Sequence, residues 1–168
     1  HHSFRGKRDD ANIKNQKTYP SGLGAGFIHM AVNYDLQDKF LDLFFSSRFA
    51  EDFYLTGGTA LARFYFHHRE SVDLDLFSQN QQLDFSIVNL EIERIGRELK
   101  LITTKQVTTS TFLQFIFEDS EKNMLKIDLV KDIPVHFGDF KQEGKVRLDS
   151  LENMGSNKIT AIFGRTDH

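Results

Sequence analysis

Leu55-Thr56-Gly57-Gly58-Thr59-Ala60-Leu61, followed at a distance by His68-Arg69-Glu70-Ser71-Val72-Asp73-Leu74-Asp75-Leu76-Phe77, is the stretch from which the rest of this sequence can be read. The second run alternates from Val72 to Leu76, which predicts a strand with Leu74 and Leu76 packed on one face. Asp73 and Asp75 then share the opposite face, with Cα atoms roughly 7 Å apart. Two like charges so placed on an apolar strand resist burial. A divalent cation between them would relieve the repulsion, and magnesium is typically held by one or two carboxylates plus substrate phosphates. A solvent-facing strand that happens to show two aspartates is the alternative, although Asp is depleted in strands.

The first run reads as a short buried strand, Phe53-Tyr54-Leu55-Thr56, broken by Gly57-Gly58 and followed by a helix that Thr59 can cap. A diglycine lets backbone approach a phosphate closely, and a helix N-terminus offers unpaired N–H groups to an anion. A tight strand–helix turn with an ordinary Thr cap would look the same in isolation. The combination with the downstream carboxylates is the stronger signal. A third acid, Asp128, interrupts Leu125-Lys126-Ile127-Asp128-Leu129-Val130. With Ile127 and Leu129 facing the core, it points to the same side as Lys126 and Val130. A third carboxylate on an adjacent strand suits a two-metal phosphoryl-transfer site and a general base, and a salt bridge to Lys126 or Lys131 is the structural alternative.

Working outward, Leu36, Phe40, Leu41, Phe44 and Phe45 recur at helical spacing behind Asp35, a candidate N-cap. The helix of residues 59–67 carries Ala60, Leu61, Phe64 and Tyr65. Phe85 to Leu99 is the clearest helix, striped by Val88, Ile92, Ile95 and Leu99. Three strands are expected at Lys100–Lys105, Thr111–Glu118 and Met124–Val130, the last two joined by a hairpin loop at residues 119–123. Phe112, Phe115 and Phe117 read as core. Val135–Phe137 and Val146–Leu148 are weaker strand candidates, and a last helix is expected from Ser156. This order predicts an α/β (α+β) fold, a mixed sheet with helices packed mainly on one side.

The sequence has 168 residues, no Cys, 17 Phe and a net charge of −3. Thiol catalysis, disulfides and zinc–thiolate sites are excluded, and no apolar run is long enough for a membrane helix. Residues 1–30 run from His1-His2 to His29-Met30 through a polar, aperiodic stretch, which suggests an expression tag and leader before a domain at 31–168. The first 29 residues hold five Lys/Arg and two Asp/Glu, leaving the rest with a net of −6. That balance argues against a general nucleic-acid coat. No targeting signal is visible, so a cytoplasmic location is expected. His67-His68 are neighbours about 100° apart on a helix and form no chelate.

The quoted motifs resemble those of the AbiEii/AbiGii group of DNA polymerase β-type nucleotidyltransferases, over about residues 50–165. The Gly-Gly-Thr-Ala-Leu turn, and Arg69 before Ser71-Val72-Asp73-Leu74-Asp75-Leu76-Phe77, carry the likeness. The resemblance implies a nucleotidyltransferase fold and Mg2+-dependent transfer of a nucleoside monophosphate (NMP) from a nucleoside triphosphate (NTP), releasing pyrophosphate. It implies that Gly57, Gly58 and Thr59 hold triphosphate oxygens, that Asp73, Asp75 and Asp128 are the metal-binding and catalytic acids, and that Arg69 and Ser71 lie beside the nucleotide. Lys158-Ile159-Thr160-Ala161-Ile162-Phe163-Gly164-Arg165 also fits the group, placing Lys158 and Arg165 over the triphosphate. Family members continue past this helix with an acidic motif and further helices, whereas this sequence stops at Asp167-His168; a truncated C-terminal part, a disordered or omitted remainder, and a minimal member are the open alternatives. The resemblance points to the toxin of a bacterial toxin–antitoxin or abortive-infection pair, with RNA (often tRNA) or a protein as acceptor and a cognate antitoxin as partner. An antitoxin-like protein adenylyltransferase, a small-molecule (antibiotic) nucleotidyltransferase and a non-catalytic nucleotide-binding module remain as alternatives.

Overall fold

The computed structural model describes residues 34–66, 73–132 and 136–155. Helix α1 spans Tyr34–Phe44 and buries Leu36, Phe40, Leu41 and Phe44, the stripe its spacing predicts. Asp35 lies inside the first turn and not at the N-cap position expected for it; it pairs with Lys39 at 2.8 Å in an exposed salt bridge. Strand β1 (Phe53–Thr56) is buried along its whole length. Helix α2 (Gly57–Ala60) follows at once and gives way to a π-helical stretch, Leu61–Phe66. The helix expected over 59–67 therefore starts earlier and changes its winding, and Thr59 is an interior residue of α2, not its cap.

Strand β2 (Asp73–Ser78) shows the expected alternation, with Leu74 and Leu76 buried and both aspartates on the other face. Helix α3 (Phe85–Glu98) is capped by Asp84, whose carboxylate accepts from the Ser86 amide at 2.9 Å. Strands β3 (Ile102–Thr108), β4 (Phe112–Glu118) and β5 (Met124–Lys131) follow, and β6 (Lys141–Glu143) and β7 (Val146–Leu148) form a small hairpin. The third strand sits two to three residues beyond its expected place, because α3 ends through Lys100 in the left-handed region (φ 57°). His136 and Phe137 are not in a strand, against expectation, while Val135 lies outside the described residues. A helical turn over 151–155 precedes the helix expected from Ser156, which also lies outside them.

The seven strands form one mixed sheet in the order β3-β4-β5-β2-β1-β7-β6. The β2/β5 and β1/β7 pairs are parallel and the others antiparallel. One face carries Phe53, Leu55, Leu74, Leu76, Leu113, Phe115, Phe117, Leu125, Ile127 and Leu129, all packed into the core under α1 and α3. Each such side chain contributes about 1.5–3 kcal/mol on burial. Phe115 and Phe117 are core as expected, but Phe112 is only half-buried because its parity places it on the opposite face. That opposite face carries the charged and polar residues. Its β1 end is covered by residues 136–155: the Tyr54 ring packs against Phe140 and His136, with ring centroids 4.8 and 5.5 Å away.

Gly96 fixes how closely α3 approaches the sheet. A Cβ built there would lie 2.7 Å from the Phe117 ring, and Phe117 is itself stacked on Phe115 and buried. Gly96→Ala should therefore lower the unfolding free energy by about 1–3 kcal/mol in urea melts, since overpacking outweighs the gain in helix propensity. A stabilised variant would show that the helix stands further from β4.

Candidate active site

The site is built by register. In the parallel β2/β5 pair, Asp75 lies opposite Asp128 and Asp73 opposite Lys126. Period-two alternation then brings Asp73, Asp75, Lys126 and Asp128 onto one sheet face, next to each other on neighbouring strands. In the antiparallel β1/β2 pair Thr56 lies opposite Asp75, so the turn that follows β1 begins beside the same carboxylate. Gly57, at φ +76°, occupies the left-handed region, and the space a side chain would need is taken by the Asp75 carboxylate. Glycine is required twice over, by conformation and by close approach. Thr59 is buried, and its hydroxyl donates to the Asp73 carbonyl oxygen, tying the turn to the first residue of β2. This hydroxyl, expected to face a phosphate, is thus directed at the strand in the structure.

Crowding sets the electrostatics. The Asp75 carboxyl is pushed up to about 6, first by burial and then by repulsion from Asp128 and Asp73, with Lys126 opposing. The Lys126 ammonium lies 3.6 Å from Asp73 Oδ2 and 3.7 Å from Asp128 Oδ2. Gln114, the β4 register partner of Asp128, donates through Nε2 to Asp128 Oδ1 at 2.9 Å. Both oxygens of the third acid are therefore oriented. Among the described residues no group of three or more acidic or histidine side chains already converges on one point. The donor set nevertheless suits a hard divalent cation, being carboxylate oxygens from two adjacent strands on one face. Arg69, Ser71, Lys158 and Arg165 lie outside the described residues.

A second polar cluster buttresses the turn, and no sequence pattern announces it. Asp149 is fully buried just after β7. It accepts from the Thr56 hydroxyl at 2.7 Å, from Asn153 Nδ2 at 3.0 Å and from the Ser150 amide at 2.8 Å, and it lies 2.6 Å from His136 Nε2. The Tyr65 hydroxyl donates to its carbonyl at 2.6 Å, and its amide donates to the Leu55 carbonyl. The residue that precedes the glycine turn is thus held by a carboxylate 93 positions away.

The raised Asp75 pKa has a stability consequence. The folded protein keeps this proton between pH 3.8 and about 6, where the unfolded chain has lost it. Stability contributed by the group is thus present at low pH and falls as pH rises through that window. In the protein without added metal, Asp75→Asn should remove this loss and raise stability at pH 7–8 by about 1–3 kcal/mol. Urea melts of both proteins at pH 4 and 7.5 would test it; an equal difference at both pH values would contradict the crowding.

The model of the family described as "Nucleotidyl transferase AbiEii toxin, Type IV TA system" matches residues 39–168. Among solved structures, JHP933 from Helicobacter pylori is similar with a TM-score of 0.56 and 15% identity, covering 82% of this chain and 59% of its own. A second structure from H. pylori, described as that of a candidate nucleotidyltransferase, gives 0.55 and 15%, covering 75% and 56%. MenT4, a nucleotidyltransferase toxin from Mycobacterium tuberculosis, gives 0.48 and 13%, covering 76% and 51%. The chain thus spans little more than half the length of these neighbours. No protein with a curated description matches the sequence. With a family match over most of its length and the glycine turn set against an acid-bearing sheet face, the chain belongs to the AbiEii nucleotidyltransferase toxin family.

Proposed function

We propose that this protein transfers an NMP from an NTP to an acceptor hydroxyl, with magnesium as cofactor, as the toxin of a bacterial toxin–antitoxin pair. The observation that carries the reading is the in-register placement of Asp75 and Asp128, with Asp73 alongside and the Gly57 turn packed on Asp75. Asp73, Asp75 and Asp128 would hold the metal, which when bound supplies charge neutralisation for the triphosphate and the developing transition state. Gly57 and Gly58 present backbone without side chains at the turn, where triphosphate oxygens would lie, with Thr59 completing it. Arg69, Ser71, Lys158 and Arg165 are the further nucleotide-binding residues proposed from the family motifs.

In the reaction the acceptor oxygen attacks the α-phosphorus in line. The new P–O bond forms as the bond to the β-phosphate bridging oxygen breaks, and pyrophosphate leaves. Asp128 is the proposed acceptor of the hydroxyl proton. Gln114 donates to its Oδ1, which supports an orientation of the carboxylate suited to that role. RNA, often tRNA, or a protein is the proposed acceptor, a cognate antitoxin the proposed partner, and the cytoplasm the proposed location; no described helix is long and apolar enough to cross a membrane. Residues 31–168 are read as the nucleotidyltransferase domain and 1–30 as a leader.

The test is a transfer assay with magnesium, each α-labelled NTP, and either total tRNA or cell lysate. Label on RNA or on a protein band is expected, falling by about 10²–10⁴-fold in Asp128→Asn and to background in Asp73→Ala. Label from the γ-position would make the protein a phosphotransferase. Nucleotide binding without transfer to any acceptor would favour the non-catalytic module. Full activity in a folded Asp73→Ala variant would overturn the site assignment.

A further inference from the structure

Three carboxylates on one face of two adjacent strands are a local excess of negative charge, and the described groups around them are few. From β2 come Asp73 and Asp75, and from β5 come Asp128 and Lys126. From β4 comes the neutral Gln114, on Asp128 Oδ1. From β1 comes Thr56, whose hydroxyl is committed to Asp149. Lys126 is the single cation among these groups. Its register position opposite Asp73, two residues before Asp128, lets one ammonium reach both outer acids, at 3.6 and 3.7 Å. Both separations are too long for tight hydrogen bonds and suit a charge shared between two acceptors. The side chain keeps 32% of its exposure, so it can leave for solvent without disturbing the core.

We propose that Lys126 is the built-in counter-ion of the acid cluster, its ammonium lying between Asp73 and Asp128 until an entering divalent cation displaces it. This rests on the functional reading above and adds a residue that tunes metal affinity. The ammonium lets the three acids be assembled before metal arrives. In return, the metal must compete with a charge already in place. Because the competitor is tethered, it is present at constant local concentration. The site therefore favours a cation whose charge exceeds the lysine's, and a monovalent ion gains little by the exchange. Displaced, Lys126 remains next to the cluster on a partly exposed face, within reach of solvent.

The test is Mn2+ binding without nucleotide, read from the free-Mn2+ electron paramagnetic resonance signal, in wild type, Lys126→Gln, Lys126→Arg and Asp75→Asn. Lys126→Gln should bind Mn2+ about tenfold more tightly than wild type, because a repelling charge is gone. It should melt lower than wild type without metal and recover when Mn2+ is added. Lys126→Arg keeps the charge and grips carboxylates in two-pronged fashion, so it should bind Mn2+ no more tightly than wild type. Should Lys126→Gln fail to fold, tighter binding by Lys126→Arg would still contradict the proposal. Unchanged or weaker Mn2+ affinity in folded Lys126→Gln would overturn the counter-ion role while leaving the metal site standing, provided Asp75→Asn loses binding. Absence of Mn2+ binding in wild type and Lys126→Gln alike would overturn both readings.

Discussion

Asp75 and Asp128 are register partners on adjacent parallel strands, so their carboxylates rise from the same sheet face about 4.8 Å apart at the backbone. Like charges at that spacing repel, and the surrounding chain is arranged around this repulsion. Lys126 answers it with charge and Gln114 with a hydrogen bond. Asp75, packed against the Gly57 backbone and partly cut off from water, answers it by holding its proton more tightly. A site organised in this way is unfavourable for the fold and suited to a divalent cation, the usual relation between stability and function at an active site.

The opposite face of the sheet supplies what this costs. Leu74 and Leu76 alternate with the two aspartates, and Ile127 and Leu129 flank Asp128, all fully buried under α1 and α3. The same strands that crowd charge on one side anchor the core on the other, so the acids cannot move apart without unpacking apolar side chains. On the site face the Asp149 cluster holds Thr56, the last residue of β1, through a buried carboxylate whose donors come from residues 56, 136, 150 and 153. Removing one of its donors would leave a buried charge poorly satisfied and loosen the turn at Gly57.

How much of this was legible in the sequence follows from how local each feature is. The β2 strand, its two faces and the glycine turn could be read because period-two alternation and diglycine are short-range signals. That Asp128 shares a side with Lys126 could be read for the same reason. Its pairing with Asp75, and the reach of Lys126 to Asp73, depend on which strands lie side by side, and no periodicity encodes that. The need for glycine at position 57 was legible as a turn, but its main reason, the Asp75 carboxylate in the place of a side chain, is tertiary. The ends of strand β3 carry no mark in the sequence, since it is an exposed edge strand, Ile-Thr-Thr-Lys-Gln-Val-Thr, without apolar alternation, and its start is set by the left-handed turn at Lys100. No local pattern singles out Asp149 or His136: the strands near them, β6 and β7, have only three residues each, too short for alternation to mark a buried acid.

The shared face of β2 and β5 is the proposed metal-dependent nucleotide site. A crystal structure with magnesium and a non-hydrolysable NTP tests it most directly. The account predicts magnesium ligated by Asp73 and Asp75 and within reach of Asp128, with the triphosphate running along the Gly57–Gly58 backbone. Nucleotide bound elsewhere, or bound here with no metal touching Asp73 or Asp75, would contradict it.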